Sequence, residues 1–220
     1  WEFGTNPCSE IILRPYQFCN LSEVVVRVTD DLKSLSNKVR LATIIGTLQS
    51  TLTKFPYLRK VWQNNTEEER LLGVSLTGIM DNPLLTTKNK GLAQMLDHLR
   101  HVAIDTNKEW SERLGVQQST AITCVKPSGT VSQLVDSASG IHARHSPYYY
   151  RTVRGDNKDP ITQFMKDQGI PSELCVGKPH TTTVFTFPVA APKNAVTRDD
   201  MTAIEQLEMW LTYQRHWCEH

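Results

Sequence analysis

The run Thr120-Ala121-Ile122-Thr123-Cys124-Val125-Lys126-Pro127-Ser128-Gly129-Thr130-Val131-Ser132-Gln133-Leu134-Val135 passes from strand composition through a turn into a helix start. Thr120 to Val125 reads as a buried strand, because it is short, apolar and rich in β-branched residues. Pro127 and Gly129 break it. Small hydroxyl residues then open the Gln133-Leu134-Val135 segment, as at a helix N-terminus, where free backbone N–H groups and the positive end of the dipole can receive an anion. Pro127, Ser128, Gly129, Thr130, Val131 and Ser132 are therefore a candidate phosphate turn, with an ordinary capped turn as the alternative. A Walker loop is excluded, since Gly-Lys-Thr is absent.

The same alternation of strand and helix extends outward in both directions. Upstream, Ile11-Ile12-Leu13 reads as a short strand, Arg14 to Phe18 as a turn, and Cys19 to Val26 as a second extended run. Asp30-Asp31 open a long helix with acids at its positive end. Its apolar stripe would be Leu32, Leu35, Val39, Ala42, Ile45, Leu48 and Leu52, and Pro56 would close it. Thr66 to Glu69 has capping-box form, so it predicts a helical turn that leads into a strand ending near Gly78. A further helix is expected over 88–114, with Leu92, Met95, Leu99, Val102, Thr106 and Trp110 inward and Gly115 beyond its end. Downstream, Tyr148 to Val153 and Thr181 to Val189 read as strands. Asp159-Pro160 starts a helix that stops at Gly169. Thr197 to Asp200 would cap the last helix, whose stripe is Met201, Ile204, Leu207 and Leu211. Alternating strands and helices imply an α/β domain with a largely parallel sheet and flanking helices.

Chemistry concentrates near the beginning, in Asn6-Pro7-Cys8-Ser9-Glu10 followed by Cys19-Asn20-Leu21. A carboxamide, a thiol and a carboxylate at i, i+2 and i+4 would share one face of a strand. Pro7 argues against a helix there. The second thiol follows eleven positions after the first. A buried, inert Cys8 is the plain alternative. A second candidate loop, Gly140, Ile141 and His142, leads through Arg144 and His145 into a run of tyrosines. At the other end, His216 and His220 would face together on a continued helix while Cys218 points away, so no zinc site is expected there.

Bulk properties narrow the class. The 220 residues are 39% apolar and 21% charged, and the net charge of +1 makes no electrostatic case for a nucleic-acid partner. No apolar run approaches the ~20 residues that span a bilayer. Five cysteines suit a reducing compartment, here taken as the cytoplasm, better than a secreted disulfide framework. The chain opens inside a motif, so its own N-terminus is expected upstream of Trp1.

Asn6-Pro7-Cys8-x-Glu10 with Cys19-Asn20-Leu21 resembles the finger loop of ribonucleotide reductases, and the eleven-residue separation resembles the adenosylcobalamin-dependent, class II branch. Ser9 stands where glycine is expected, a departure that bears on loop geometry. Leu72 to Gly78, the Lys126 to Leu134 turn and the Gly140 to Tyr150 loop are similar to the same family. The resemblance implies part of a ten-stranded α/β barrel, with the finger loop at 1–23 and the second half-barrel at 24–220. It implies adenosylcobalamin as cofactor, a ribonucleoside triphosphate as substrate, and a thioredoxin-type reductant. It implies a thiyl radical on Cys8, Glu10 as base, Asn6 holding the sugar, and Cys19 as one of a redox pair whose partner lies in a missing N-terminal half. The alternatives are a class I diphosphate reductase subunit, a cysteine hydrolase using Cys8 and His142, and an inert nucleotide-binding module.

Overall fold

The computed structural model describes residues 2–220. The chain divides into two compact units, Trp1–Arg144 with Asn194–His220, and His145–Lys193. In the first unit a short antiparallel hairpin, β1 (Gly4–Thr5) with β2 (Ile12–Leu13), precedes β3 (Asn20–Val25). Strand β3 lies parallel to β4 (Leu72–Thr77), which lies parallel to β5 (Thr123–Cys124). The sheet order is β3-β4-β5, so the fully buried β4 is central. The α/β reading with a parallel sheet and helices holds.

Alternation along β4 divides the core. Leu72, Val74 and Leu76 join the large cluster with Leu35, Val39 and Leu99 of the flanking helices α1 (Leu32–Gln49) and α3 (Leu92–Leu114). On the other face a Cβ at Gly73 would stand 2.4 Å from Leu21 Cδ2 and 3.0 Å from Ile11 Cδ1. Glycine there lets Ile11, wholly buried, seat the hairpin end on the sheet. That contact positions the candidate site.

Several helix expectations are corrected. Helix α1 is capped by Asp31, whose Oδ1 accepts from Ser34 N at 2.8 Å, but it ends at Gln49, not near Pro56. Ser50 and Thr51 hydroxyls donate to the Thr47 and Leu48 carbonyls at 2.7 Å each, which satisfies the last turn early. Its buried face is Leu35, Val39, Ala42, Thr43, Gly46 and Thr47, whereas Leu32, Ile45, Leu48 and Leu52 are exposed. Thr66 to Glu69 is not a helix start. It closes an unanticipated α2 (Lys60–Glu69), which Arg70 ends at φ +44. Acids at that end oppose the dipole, and Arg14 offsets them through Glu68 and Glu69, each at 3.1 Å. In α3 the buried set turns to include Leu96, Ala103 and Asn107, and Gly115 takes the expected left-handed cap at φ +65.

After β5 comes the short α4 (Thr130–Leu134). Thr197 caps only a single 3-10 turn, Arg198–Asp200. The last helix, α6 (Ala203–His216), has its own capping box from Thr202 and Glu205. It buries Met209 and Tyr213, not Ile204, Leu207 and Leu211.

The second unit is antiparallel, an arrangement the sequence alternation does not reveal. Strands β6 (Tyr148–Asp156), β7 (Ser172–Leu174) and β8 (Thr182–Ala190) stand in the order β6-β8-β7. Helix α5 (Pro160–Asp167) is capped by Asp159 with proline in its first turn, and Gly169 follows at φ +71. Tyr148 and Tyr150 are exposed on the edge strand β6. No described helix is long and apolar enough to cross a membrane.

Candidate active site

Asn6 to Glu10 form the connection of the β1–β2 hairpin and not a strand, so the expected alternation of side chains on one face does not occur. Two bonds close the turn: Ser9 N donates to Asn6 O at 2.9 Å, and Ile11 N to Asn6 Oδ1 at 3.1 Å. The Asn6 carboxamide oxygen therefore braces the loop. Ser9 adopts φ +64, the left-handed region that favours glycine. The outcome is a division of labour: Cys8 is exposed, while the Glu10 side chain is only 2% exposed.

Cys8 and Glu10 line one cavity of about 620 Å³ together with Lys126, Pro127, Ile141 and His142. That volume lies within the ~300–1,000 Å³ usual for small-molecule sites. Helix α6 adds Trp210 and Tyr213, and the C-terminal tail adds Cys218 and His220. The tail reaches the cavity because it runs along the free edge of β5: Glu219 N donates to Thr123 O at 3.0 Å, and Trp217 Nε1 to Cys124 O at 2.7 Å.

Both Glu10 carboxylate oxygens are buried without a hydrogen-bond partner among the described residues. The Lys126 ammonium stands 3.3 Å from Oε1. Burial draws the Lys126 pKa down, but the charge of Glu10 and its proximity lift it above the ordinary lysine value. Burial first and the Glu10 charge second raise Cys19, which packs beside Ile11, Leu71, Ala121 and Cys124. Burial pushes Cys218 up to about 12 and raises Cys124 well above its usual range. His220, with Nε2 2.6 Å from the Leu72 carbonyl, is held below the usual histidine value by burial.

In the candidate phosphate turn the two serines are occupied locally. Ser132 N donates to Ser128 Oγ at 3.1 Å, and Ser132 Oγ donates to Ser128 O at 2.7 Å. Both are buried, whereas Gly129, Thr130 and Val131 face outward. That leaves the backbone N–H groups of the exposed residues and the Thr130 hydroxyl to meet an anion. The Gly140 to His142 loop closes over the turn. A Cβ at Gly140, which has φ +52, would stand 2.8 Å from the Lys126 carbonyl oxygen. Gly140 N also donates to Thr77 Oγ1 at 2.9 Å.

Lys126, Cys218 and His220 were not among the sequence-derived site residues. Lys126 was legible as the residue leaving a strand end, where α/β sites cluster. The tail residues were not, because they gather only through its pairing with β5. His216 pairs instead with Asp97, Nδ1 to Oδ2 at 3.0 Å. Among the described residues, no group of three or more His, Cys, Asp or Glu is arranged to hold a metal ion.

No protein-family model matches the chain. It is 30% identical over 223 residues to an adenosylcobalamin-dependent ribonucleoside-triphosphate reductase of Euglena gracilis, covering 99% of this chain and 29% of that protein. It is 28% identical over 249 residues to a protein of the same description from Lactobacillus gasseri, covering 99% and 32%. A crystal structure of a B-12-dependent, class II ribonucleotide reductase superposes with a TM-score of 0.82 at 26% identity, over 99% of this chain and 34% of that one. The resemblance carried by the motifs thus extends along the whole chain. The chain spans about a third of the length of these relatives.

Proposed function

We propose that this chain is the finger loop (1–23) and part of the second half-barrel (24–220) of an adenosylcobalamin-dependent ribonucleoside-triphosphate reductase. The observation that supports it most is the pairing, in one cavity, of an exposed Cys8 thiol with a buried Glu10 carboxylate whose oxygens lack hydrogen-bond partners. Such oxygens suit a ligand hydroxyl, since buried polar groups are otherwise paired.

Cys8 is exposed at the hairpin tip, and Ile12, Ile141 and His142 line the same cavity; these are the residues that would face adenosylcobalamin. When bound, that cofactor supplies radical chemistry through its cobalt–carbon bond. Cys8, having lost its S–H hydrogen atom, takes the 3′-hydrogen of the ribose and later returns it. Glu10 accepts the proton of the 3′-hydroxyl. The 2′-hydroxyl leaves as water with a proton from a thiol of the pair that includes Cys19. That pair, whose second cysteine lies outside these residues, gives two electrons and closes to a disulfide. A thioredoxin-type dithiol reopens it by exchange. Asn6 shapes the loop and offers its amide nitrogen to the sugar, and the turn from Pro127 to Ser132 receives the phosphates through the backbone N–H groups of its exposed residues. Chemistry dependent on free thiols supports a reducing compartment such as the cytoplasm as the protein's location.

Thiol mapping after one turnover of the full-length polypeptide tests the assignment of Cys19. The expected result is Cys19 oxidised; Cys19 still free and alkylatable would refute its role.

A further inference from the structure

We propose that Lys126 is a positioning residue whose ammonium supplies the counter-charge that holds the Glu10 carboxylate in the cavity wall; this rests on reading Glu10 as the base. A buried carboxylate with no hydrogen bonds is costly unless an opposite charge stands beside it. Lys126 Nζ, 3.3 Å from Glu10 Oε1, is that charge. The other titratable groups that feel the Glu10 charge are the Cys19 and Cys124 thiols and His220. A thiol carries no positive charge in either protonation state, and burial holds His220 below the usual histidine value.

The lysine backbone is itself held on two sides, and the turn after it is tied down as well. Its backbone N–H donates to Ser75 Oγ of β4 at 2.8 Å. Its carbonyl oxygen lies so close to Gly140 that a Cβ there would come within 2.8 Å. Two residues on, the Ser128 carbonyl accepts from Ser139 Oγ. The side chain is 31% exposed, so it reaches across the cavity margin from a fixed backbone. This arrangement carries a charge to the hairpin that bears Cys8.

The test uses Lys126→Met, Lys126→Gln and Lys126→Arg in the full-length polypeptide, with folding followed by circular dichroism. The first readout needs neither cofactor nor nucleotide. Lys126 lowers the Cys19 pKa while Glu10 raises it, so losing the ammonium should slow iodoacetamide alkylation of Cys19 several-fold, and Lys126→Arg should restore the rate. The second readout is turnover. Lys126→Met or Lys126→Gln should lower kcat by up to about 10²-fold with KM little changed, as misplacement of a reacting group does. Lys126→Arg should recover kcat. Unchanged Cys19 alkylation, or a parental kcat in the neutral variants of an enzyme that needs Cys8, overturns the role of Lys126 alone. Turnover that survives Cys8→Ser overturns the reductase reading instead, and leaves the alkylation result to judge the Lys126–Glu10 pair.

Discussion

The Arg144 guanidinium grips Asp81 through two nitrogens, Nε 2.8 Å from Oδ1 and Nη2 2.8 Å from Oδ2, with both side chains 3% exposed. Asp81 Oδ2 also accepts from Ala138 N at 2.8 Å, so the pair anchors the loop that carries Gly140 to His142 into the site.

Removing one partner of such a pair leaves a buried charge uncompensated. Arg144→Leu should therefore cost about 3–5 kcal/mol in urea unfolding. A loss below about 1 kcal/mol, the worth of a surface pair, would show that the pair does not brace this loop.

Ser9 occupies the left-handed region at φ +64. Ser9→Gly should leave stability within about 1 kcal/mol of the parent, relief of strain offsetting added chain entropy. Ser9→Val, with a β-branched side chain, should lower it by about 1–2 kcal/mol. Equal stability of the glycine and valine variants would contradict the hairpin geometry around Cys8.

The sequence made this turn legible in composition but not in shape. Pro7 excluded a helix correctly, yet alternation along Asn6, Cys8 and Glu10 suggested a strand, because a period of two in polar groups looks the same in a turn. Serine where glycine was expected was the clue to a positive φ. Elsewhere, α1 carries apolar residues on two faces, so periodicity alone could not decide that Leu35 and Val39 go inward while Ile45 and Leu48 do not. Near α6, Thr197 with Asp200 and Thr202 with Glu205 are two capping boxes within nine residues. Each is locally valid, and packing of Met209 and Tyr213 selects the second. Lys126 could be placed at a strand end, but its partner Glu10 lies 116 positions away in the chain, beyond any local signal.

Asp30 predicts an acid-side loss of stability. Burial alone would raise its pKa, but Lys38 Nζ at 2.5 Å, Arg27 N at 2.7 Å and Ser34 Oγ at 3.0 Å together hold it below the usual 3.8. A carboxylate depressed in the folded state contributes stability above its unfolded pKa, and that contribution is lost as pH falls through the folded one. Asp30→Asn should thus destabilise at pH 7, and the gap from the parent should narrow once pH falls below about 3.8. A gap independent of pH would contradict this linkage.

The exposed apolar residues Leu41 and Ile45 on α1 and Leu52 just beyond it, with Ile204, Leu207 and Trp210 on α6, predict that the isolated 220-residue chain associates with itself and reduces no nucleotide. Sedimentation that shows a stable monomer, or measurable reduction with adenosylcobalamin and a dithiol, would contradict that expectation.

The central claim is that Cys8 carries the reactive sulfur and Glu10 the base. It is tested most directly by single-turnover reduction of a ribonucleoside triphosphate, in the full-length polypeptide with adenosylcobalamin and a dithiol. Parent, Cys8→Ser and Glu10→Gln would be compared. A serine O–H bond is too strong to replace the thiol S–H, so Cys8→Ser should yield no 2′-deoxynucleotide. Glu10→Gln should form it roughly 10²–10⁴-fold more slowly, the contribution of a positioned base. Deoxynucleotide formed by Cys8→Ser at the parental rate would contradict the account.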